Sequence, residues 1–370
     1  MKRNLKNRIY SLSRILFSLF PLQKAVFFKA YNGNRYACNP RAISEYLHAV
    51  HPEIKIIWCF KDEKKDIPDY IKTVKKNTLK ELFALWTSKI WVFNAGIILS
   101  KKRKGQCFID TWHGDRAFKC VETSSDKTGK LADAYKLADT LLVGSDYGEM
   151  VAKKAMQFQG QLLRIGSPRN DLFFKENKNF AKKIKENLGL SKYEKLLLFA
   201  PTFRNAEDDA GELRLSELLD KLEQRDFLKW GALMRSHYKV RKENKAFSDE
   251  RIKDVSDYEE IQHLLLVSDI VISDYSSLVG DFCLLKRPVF LYVPDLETYR
   301  NGRGLYFDLE KSPFFYAKTE AELFELILKT TETEAKTNAE NILKFYGNVR
   351  EDGSASKQVA ELIWEKLNAK

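Results

Sequence analysis

The sequence lacks the marks of several large protein classes. It has no G-x-x-x-x-G-K-[ST] loop, which excludes a P-loop nucleotide hydrolase. It has only five cysteines, Cys38, Cys59, Cys107, Cys120 and Cys283, with no C-x-x-C pair and no histidine at metal-ligand spacing. That scatter argues against a structural zinc site and reads as reduced thiols of a cytosolic protein, most of them small buried hydrophobes. No metal and no other cofactor are expected. There is no low-complexity tract and no short-period repeat, which argues against disordered and solenoid chains. Apolar runs stop short of the roughly 20 residues that a transmembrane helix needs. Histidine is scarce as well, five in 370 residues, so the places where it occurs carry weight.

What is present is enough for two cores. Hydrophobic residues make up 44% and aromatics 12% of a chain long for one domain and natural for two. The formal net charge of +12 favours anionic partners: nucleic acid, acidic lipid head groups or phosphorylated substrates. Nucleic acid would need a basic stripe interleaved with aromatics or a recognisable module, and the lysines are dispersed instead, so no nucleic-acid partner is expected. Residues 1–22 form a segment of their own. Lys2, Arg3, Lys6 and Arg8 crowd its start, and Leu5, Ile9, Leu12, Leu16 and Leu19 recur at helical spacing. Arg14 interrupts the apolar run and Phe20, Pro21, Leu22 and Gln23 make a poor cleavage site, which argues against a secretory signal. The pattern fits an interfacial amphipathic helix at a membrane surface, or a helix packed on the protein body.

Two strand–helix series follow. In the first, residues 25–28, 54–60, 90–93, 107–109 and 140–143 read as strands, with helices over 40–50 (Asn39 as N-cap) and 146–157. The lysine-rich stretches 61–79 and 175–195 read as solvated surface. In the second, strands over 196–200, 231–234, 269–273 and 289–293 alternate with helices over 215–223, 259–267 and 278–285. Amphipathic helices over 320–329, capped by Thr319, and 356–366 close the chain. Alternating strands and helices imply parallel sheets, hence an α/β chain of two Rossmann-like domains, 23–175 and 190–348, facing a central cleft, with 349–370 as a terminal helical segment.

In open α/β sheets ligands bind beyond the carboxyl ends of the strands. Polar clusters fall there repeatedly. His113, before Gly114, follows the strand at 107–109; its imidazole can take a proton near neutral pH, although a loop histidine satisfied by a carbonyl is the plainer alternative. Arg169 and Asn170 lie in GSPRNDLFF, Thr202 and Arg204 in LLFAPTFRN, and Arg235 and His237 in MRSHYKV. An arginine fork suits phosphate. Asp274, Tyr275, Ser276 and Ser277 join a strand to a helix start, where backbone N–H groups and two hydroxyls suit a phosphate or simply cap the helix. Arg303 and Gly304 sit in a glycine-broken basic loop over 300–304 that could close over a pyrophosphate or be a surface turn. His48, His51 and His263 lie on predicted helices or a helix end.

Taken in order, FIDTWHGDRAFK, GSPRNDLFF, LLFAPTFRN, MRSHYKV and the long run from DVSDYEEIQH to RNGRGLYFD resemble the CDP-glycerol:glycerophosphate glycerophosphotransferases of teichoic acid and capsule synthesis, over roughly residues 25–350. The resemblance implies a GT-B arrangement and peripheral attachment to the inner face of the cytoplasmic membrane. It implies transfer of glycerol phosphate, or a related polyol phosphate, from CDP-glycerol or another CDP-polyol to a lipid-linked glycan or polymer acceptor. His113 and His237 would then be the two functional histidines, His113 as general base. Arg235, Ser276, Ser277, Arg303 and Gly304 would lie on the donor side. Where the family commonly continues the tryptophan–histidine–glycine motif with Thr-Pro-Leu-Lys, this chain has Asp115, Arg116, Ala117, Phe118 and Lys119. That stretch is expected to face the cleft and bear on acceptor choice. The alternative is a GT-B glycosyltransferase using a CMP- or NDP-sugar.

Overall fold

A computed structural model describes residues 2–64, 66–95, 101–120, 135–175, 178–202, 213–235 and 248–369, with side chains from Arg8 onward. The chain divides into two compact units: Met1–Asp115, Val121–Phe174 and Arg350–Lys370 form the first, Arg116–Cys120 and Lys175–Val349 the second.

Among the described residues the first unit holds seven strands: β1 (Gln23–Lys29), β2 (Lys55–Phe60), β3 (Ile71–Lys75), β4 (Ser88–Phe93), β5 (Cys107–Asp110), β6 (Thr140–Val143) and β7 (Gln161–Arg164). They lie in the order β3-β2-β1-β4-β5-β6-β7, every pair parallel. A parallel sheet is covered on both faces, so its central strands read as continuous apolar runs. In β1, Val26 and Phe28 face one core with Trp58, Ile90 and Val92, while Phe27 meets Phe93 on the other side. Helices Cys38–Val50 and Ala355–Asn368 supply Ile43, Leu47, Val359 and Ile363 to the first of these cores. The stretch 61–79 is not merely solvated surface. Within it Ile71 and Val74 of β3 point inward while Lys72, Thr73 and Lys75 stay exposed, the signature of an edge strand. Helix Leu79–Thr87, capped by the Thr78 hydroxyl, follows it.

Helix Lys2–Phe17 lies on the helix Leu79–Thr87. Tyr10 donates to Glu81 Oε1 (3.3 Å), Trp86 Nε1 to Ser13 Oγ (2.8 Å), and the Arg103 guanidinium caps the carbonyls of Phe17 and Phe20 (3.0 and 2.7 Å). The helix is thus packed on the body along one face, while Ile9, Leu12, Leu16 and Leu19 remain exposed, Leu19 at 82%. The side chains of Lys2, Arg3, Leu5 and Lys6 lie outside the described residues. No described helix is long and apolar enough to cross a membrane.

The second unit's described strands are β8 (Lys195–Phe199), β9 (Trp230–Met234), β10 (Ile252–Asp254), β11 (Ile270–Ser273), β12 (Val289–Tyr292) and β13 (Tyr316–Ala317). They form a parallel sheet in the order β10-β9-β8-β11-β12-β13. Leu218, Leu219 and Leu222 of helix Leu215–Asp226 and Leu323 and Ile327 of helix Glu320–Lys329 pack against it. Thr319 caps the latter in a reciprocal box with Glu322. The lysine-rich stretch 175–195 carries a helix, Lys178–Asn187, with Ile184 its buried anchor.

Candidate functional site

Each sheet reverses its strand order once: between β1 and β4 in the first unit, and between β8 and β11 in the second. At such a switch point neighbouring connections leave in opposite directions and open a crevice beyond the strand ends. His113 lies at the first, and Thr202, Asp274, Ser276 and Ser277 at the second.

In the first unit, β1 exits into Tyr31 and β4 into Asn94. The Tyr31 N–H donates to Asn94 Oδ1 (2.8 Å), closing the crevice floor. His113 sits above: its Nδ1 is 2.7 Å from the Asn94 carbonyl oxygen, and its ring meets Tyr31 edge-on. A carbonyl only accepts, so Nδ1 carries a hydrogen, and in the neutral ring the lone pair lies on Nε2. His113 is exposed, whereas Gly114 behind it is buried.

The turn that presents this ring is heavily scaffolded. Trp112 adopts φ 45°, the left-handed region that costs a non-glycine residue energy, of order 1–3 kcal/mol at such sites. Its N–H donates to Asp110 Oδ1 (2.9 Å), and Asn39 Nδ2 donates to the carbonyls of Thr111 and Trp112 (2.9 and 3.1 Å). Asn39 is therefore not an N-cap: its helix already starts at Cys38, and its side chain serves the turn that carries His113. Burial pushes the Asp110 carboxyl up to about 7, the Trp112 N–H acting in the other direction. Arg169 is buried; its guanidinium donates to the His113 carbonyl (2.9 Å) and its N–H to Asn39 Oδ1 (3.1 Å). It thus holds the His113 backbone. Fully buried Asn170 donates to Glu351 Oε1 (3.0 Å), and Glu351 also accepts from the Ser167 N–H (3.1 Å), which ties the returning chain to this unit.

The second unit repeats the pattern with other chemistry. Thr202, past β8, gives its N–H to both oxygens of Asp274 (3.0 and 2.9 Å) and its hydroxyl to Oδ2 (3.1 Å). Ser273 Oγ donates to the Ala200 carbonyl (2.7 Å). Asp274 is thus buried and joins two strand exits. Ser276 and Ser277 follow, half-buried, at the start of a single α-helical turn, Leu278–Phe282, continued by the 3-10 turn Cys283–Leu285. Ser277 makes no side-chain cap. Arg235, past β9, donates to the carbonyls of Tyr258 (2.8 Å) and Val255 (3.4 Å).

The basic segment 300–304 is not a loop throughout, because helix Leu296–Gly302 runs into it and Arg303 is its C-cap. Arg303 is exposed, and Gly304 takes φ 81°, which a side chain would resist. Tyr299 of that helix stacks on Tyr275 (3.8 Å between centroids), so the turn at 276–277 and the helix ending at Arg303 are neighbours. His237 and Arg204 lie outside the described residues. Sequence reasoning missed Tyr31, Asn94 and the scaffolding role of Asn39. The signal for Asn94 was its place directly after an apolar strand, the same criterion that singled out His113.

The stretch after Gly114 does not face outward. Asp115 is buried and accepts from the Gly144 N–H and Ser145 Oγ (both 2.8 Å), and Arg116, Ala117 and Phe118 are buried as well. Lys119 alone of the five is half-buried, so Asp115 to Phe118 do not face a cleft as the sequence led one to expect.

A family model described as CDP-Glycerol:Poly(glycerophosphate) glycerophosphotransferase matches residues 11–365. The chain is 35% identical to a teichoic acid poly(glycerol phosphate) polymerase of Bacillus spizizenii, covering 97% of both chains. It is 29% identical to a teichoic acid glycerol-phosphate transferase of Staphylococcus aureus, covering 99% of both. It is similar to a structure of the wall teichoic acid polymerase TagF soaked with CDPG, with a TM-score of 0.83, 26% identity, and coverage of 99% of this chain and 97% of that one.

Proposed function

The chain belongs to the CDP-glycerol:poly(glycerophosphate) glycerophosphotransferase family and is a transferase that uses CDP-glycerol, and from that premise we propose how its residues divide the work. The acceptor is a hydroxyl on a membrane-linked teichoic acid or capsular polysaccharide precursor. His113 Nε2 takes the proton of that hydroxyl. Its oxygen attacks the β-phosphorus of CDP-glycerol, a new P–O bond forms, and the bond to the bridging oxygen breaks, its electron pair leaving with CMP. Positioning and charge stabilisation carry most of such a phosphoryl transfer. Arg235, His237, Arg303 and the turn at Ser276 and Ser277 meet the negative charge of the pyrophosphate and the leaving CMP. The observation that carries this reading is the His113 ring at a switch point, its tautomer fixed by Asn94. Asn39, Asp110 and Arg169 hold the turn that presents it rather than touch substrate.

Mass spectrometry of products from CDP-glycerol, CDP-ribitol and sugar nucleotides with lipid-linked acceptors tests the reading. One or more glycerol phosphate additions with CMP release are expected; transfer from a sugar nucleotide alone would overturn it.

The protein works at the inner face of the cell membrane, held in part by helix Lys2–Phe17. Its packed face belongs to the fold, and its exposed Leu12 and Leu16, with Leu19 just beyond it and nearby basic residues, suit an anionic bilayer. Sedimentation with anionic liposomes should fall with added salt and on changing Leu12 and Leu16 to Asp, which leaves the packed face intact. Undiminished sedimentation would remove the membrane role.

A further inference from the structure

The segment Arg116–Cys120 belongs to the second unit although Asp115, directly before it, is anchored in the first. Its contacts there run in two directions. At one end the fully buried Arg116 forms an ion pair with buried Asp281 (2.7 Å), whose other oxygen accepts from Gln262 Nε2 (3.1 Å). Asp281 lies in the helical turn that begins just after Ser276 and Ser277. Gly280, beside it, has no room for a side chain: a Cβ there would lie 2.8 Å from Arg116 Cβ and Cδ. Tyr346 Oη donates to the Arg116 carbonyl (3.2 Å). At the other end the segment forms an antiparallel bridge with the residues directly after Arg303. The Cys120 N–H donates to the Gly304 carbonyl (3.0 Å) and the Tyr306 N–H to the Phe118 carbonyl (2.9 Å). The Phe118 ring, between these ends, packs on Phe307 and Phe314.

We propose that Arg116–Cys120 is a positioning strap for the donor, spacing the turn at Ser276 and Ser277 from the turn at Arg303 and Gly304. This rests on the reading that these two turns meet the pyrophosphate. A pyrophosphate is short, so two turns that both meet it must keep a fixed separation. The turns meet directly through the stacked Tyr275 and Tyr299, and the strap ties them a second time from another side. A buried ion pair suits this task because it is directional: losing one partner leaves a buried charge, so slippage is strongly resisted. None of the strap residues need touch substrate. The departure of residues 115–119 from the family's usual continuation therefore bears on how the donor is held.

The test measures KM for CDP-glycerol, KM for the acceptor, kcat and melting temperature in full-length variants. Tyr346→Phe and Gly280→Ala loosen or displace the strap without stranding a charge, and Arg116→Met with Asp281→Asn removes both ionised partners together. The expected result is a rise of about tenfold in the donor KM for Gly280→Ala and the double variant, less for Tyr346→Phe, with acceptor KM and kcat within about twofold of the parent, since the strap sets the spacing of the turns that bind the donor and leaves the His113 turn untouched. Arg116→Lys, which keeps the charge, should recover part of the loss. A fall in kcat or melting temperature with an unmoved donor KM would mean a merely structural role and overturn the strap. Ser276→Ala with Ser277→Ala separates the two levels. If that pair weakens donor binding and the strap variants do not, the strap fails and the donor reading stands; if neither does, the donor reading falls and the strap with it.

Discussion

At the switch point of the first sheet two strand exits are joined by a neutral amide, Asn94; at that of the second they are joined by a carboxylate, Asp274. The geometry is otherwise alike, a side-chain oxygen accepting from a backbone N–H beyond the neighbouring strand. The difference lies in what else each group does. Asn94 also offers its own carbonyl to His113, fixing a tautomer without adding charge, so the first crevice presents a proton acceptor. Asp274 turns both oxygens to Thr202 and is followed by two adjacent serines, so the second presents hydroxyls instead. On the proposed reading, two copies of one topology are divided between proton transfer and anion binding by the residues at two strand exits.

The largest effect expected of this division is on His113. His113→Ala should lower kcat by about 10²–10⁴-fold, the usual contribution of a general base, while calorimetry finds CDP-glycerol affinity nearly unchanged. Near-normal turnover in the folded variant would break the comparison at its first term. The next effect concerns the buried carboxyl beneath the same turn. The Asp110 pKa of about 7 in the folded protein lies above its unfolded value, so its favourable contribution is complete below about pH 4 and is lost as pH rises through 7. Asp110→Asn keeps an acceptor for the Trp112 N–H and removes the titration. It should match the parent in thermal melting near pH 4 and be more stable at pH 8, by at most about 4 kcal/mol. An equal difference at both pH values would mean that folding leaves the Asp110 pKa at its ordinary value.

Asp274→Asn sharpens the contrast from the other side. One carboxylate oxygen becomes an N–H₂ facing the Thr202 donors, and leaving such a buried donor unsatisfied costs about 1–3 kcal/mol. The junction of the two strand exits should loosen, with weaker CDP-glycerol binding, a lower melting temperature and an unchanged acceptor KM. An altered acceptor KM with intact donor affinity would reverse the assignment of the two crevices.

Much of this was legible in the sequence because strands of a parallel sheet are uninterrupted apolar runs and polar residues at their exits stand out. His113, Thr202, Asp274 and Ser276 were found that way. Strand β3 escaped because an edge strand buries only Ile71 and Val74 among lysines and so looks like surface. Asn39 was misread for a different reason. Its type and place before an apolar helix suit an N-cap, and nothing local reveals that Thr111 and Trp112 lie within reach of it. The burial of Arg116 was hidden for the same reason: Asp281, its partner, lies 165 positions away. Local pattern locates strand exits; it does not say which of them meet, nor which polar residues support a site instead of forming it.

The smallest effect is expected at Ser276 and Ser277, and its size is informative. The helical turn beyond them is shorter than the helix over 278–285 read from the sequence, and its Gly280 N–H already bonds to the Ser277 carbonyl (3.1 Å), so fewer N–H groups are left to meet an anion. The hydroxyls should then matter more than they would at a full helix start, yet less than the arginines, because a neutral hydrogen bond contributes about 0.5–1.5 kcal/mol where one to a charged group contributes about 1.5–3. Ser276→Ala with Ser277→Ala should weaken CDP-glycerol binding severalfold, and Arg303→Ala should weaken it more. The loss at Arg303 should shrink as salt is raised, because an exposed charge is screened, while the loss at the serines should not. Calorimetric titration with CDP-glycerol at two ionic strengths reads both. Equal salt dependence for the two variants would mean that the serines act only by holding the turn in which they sit, and that the anion is met by the arginines alone.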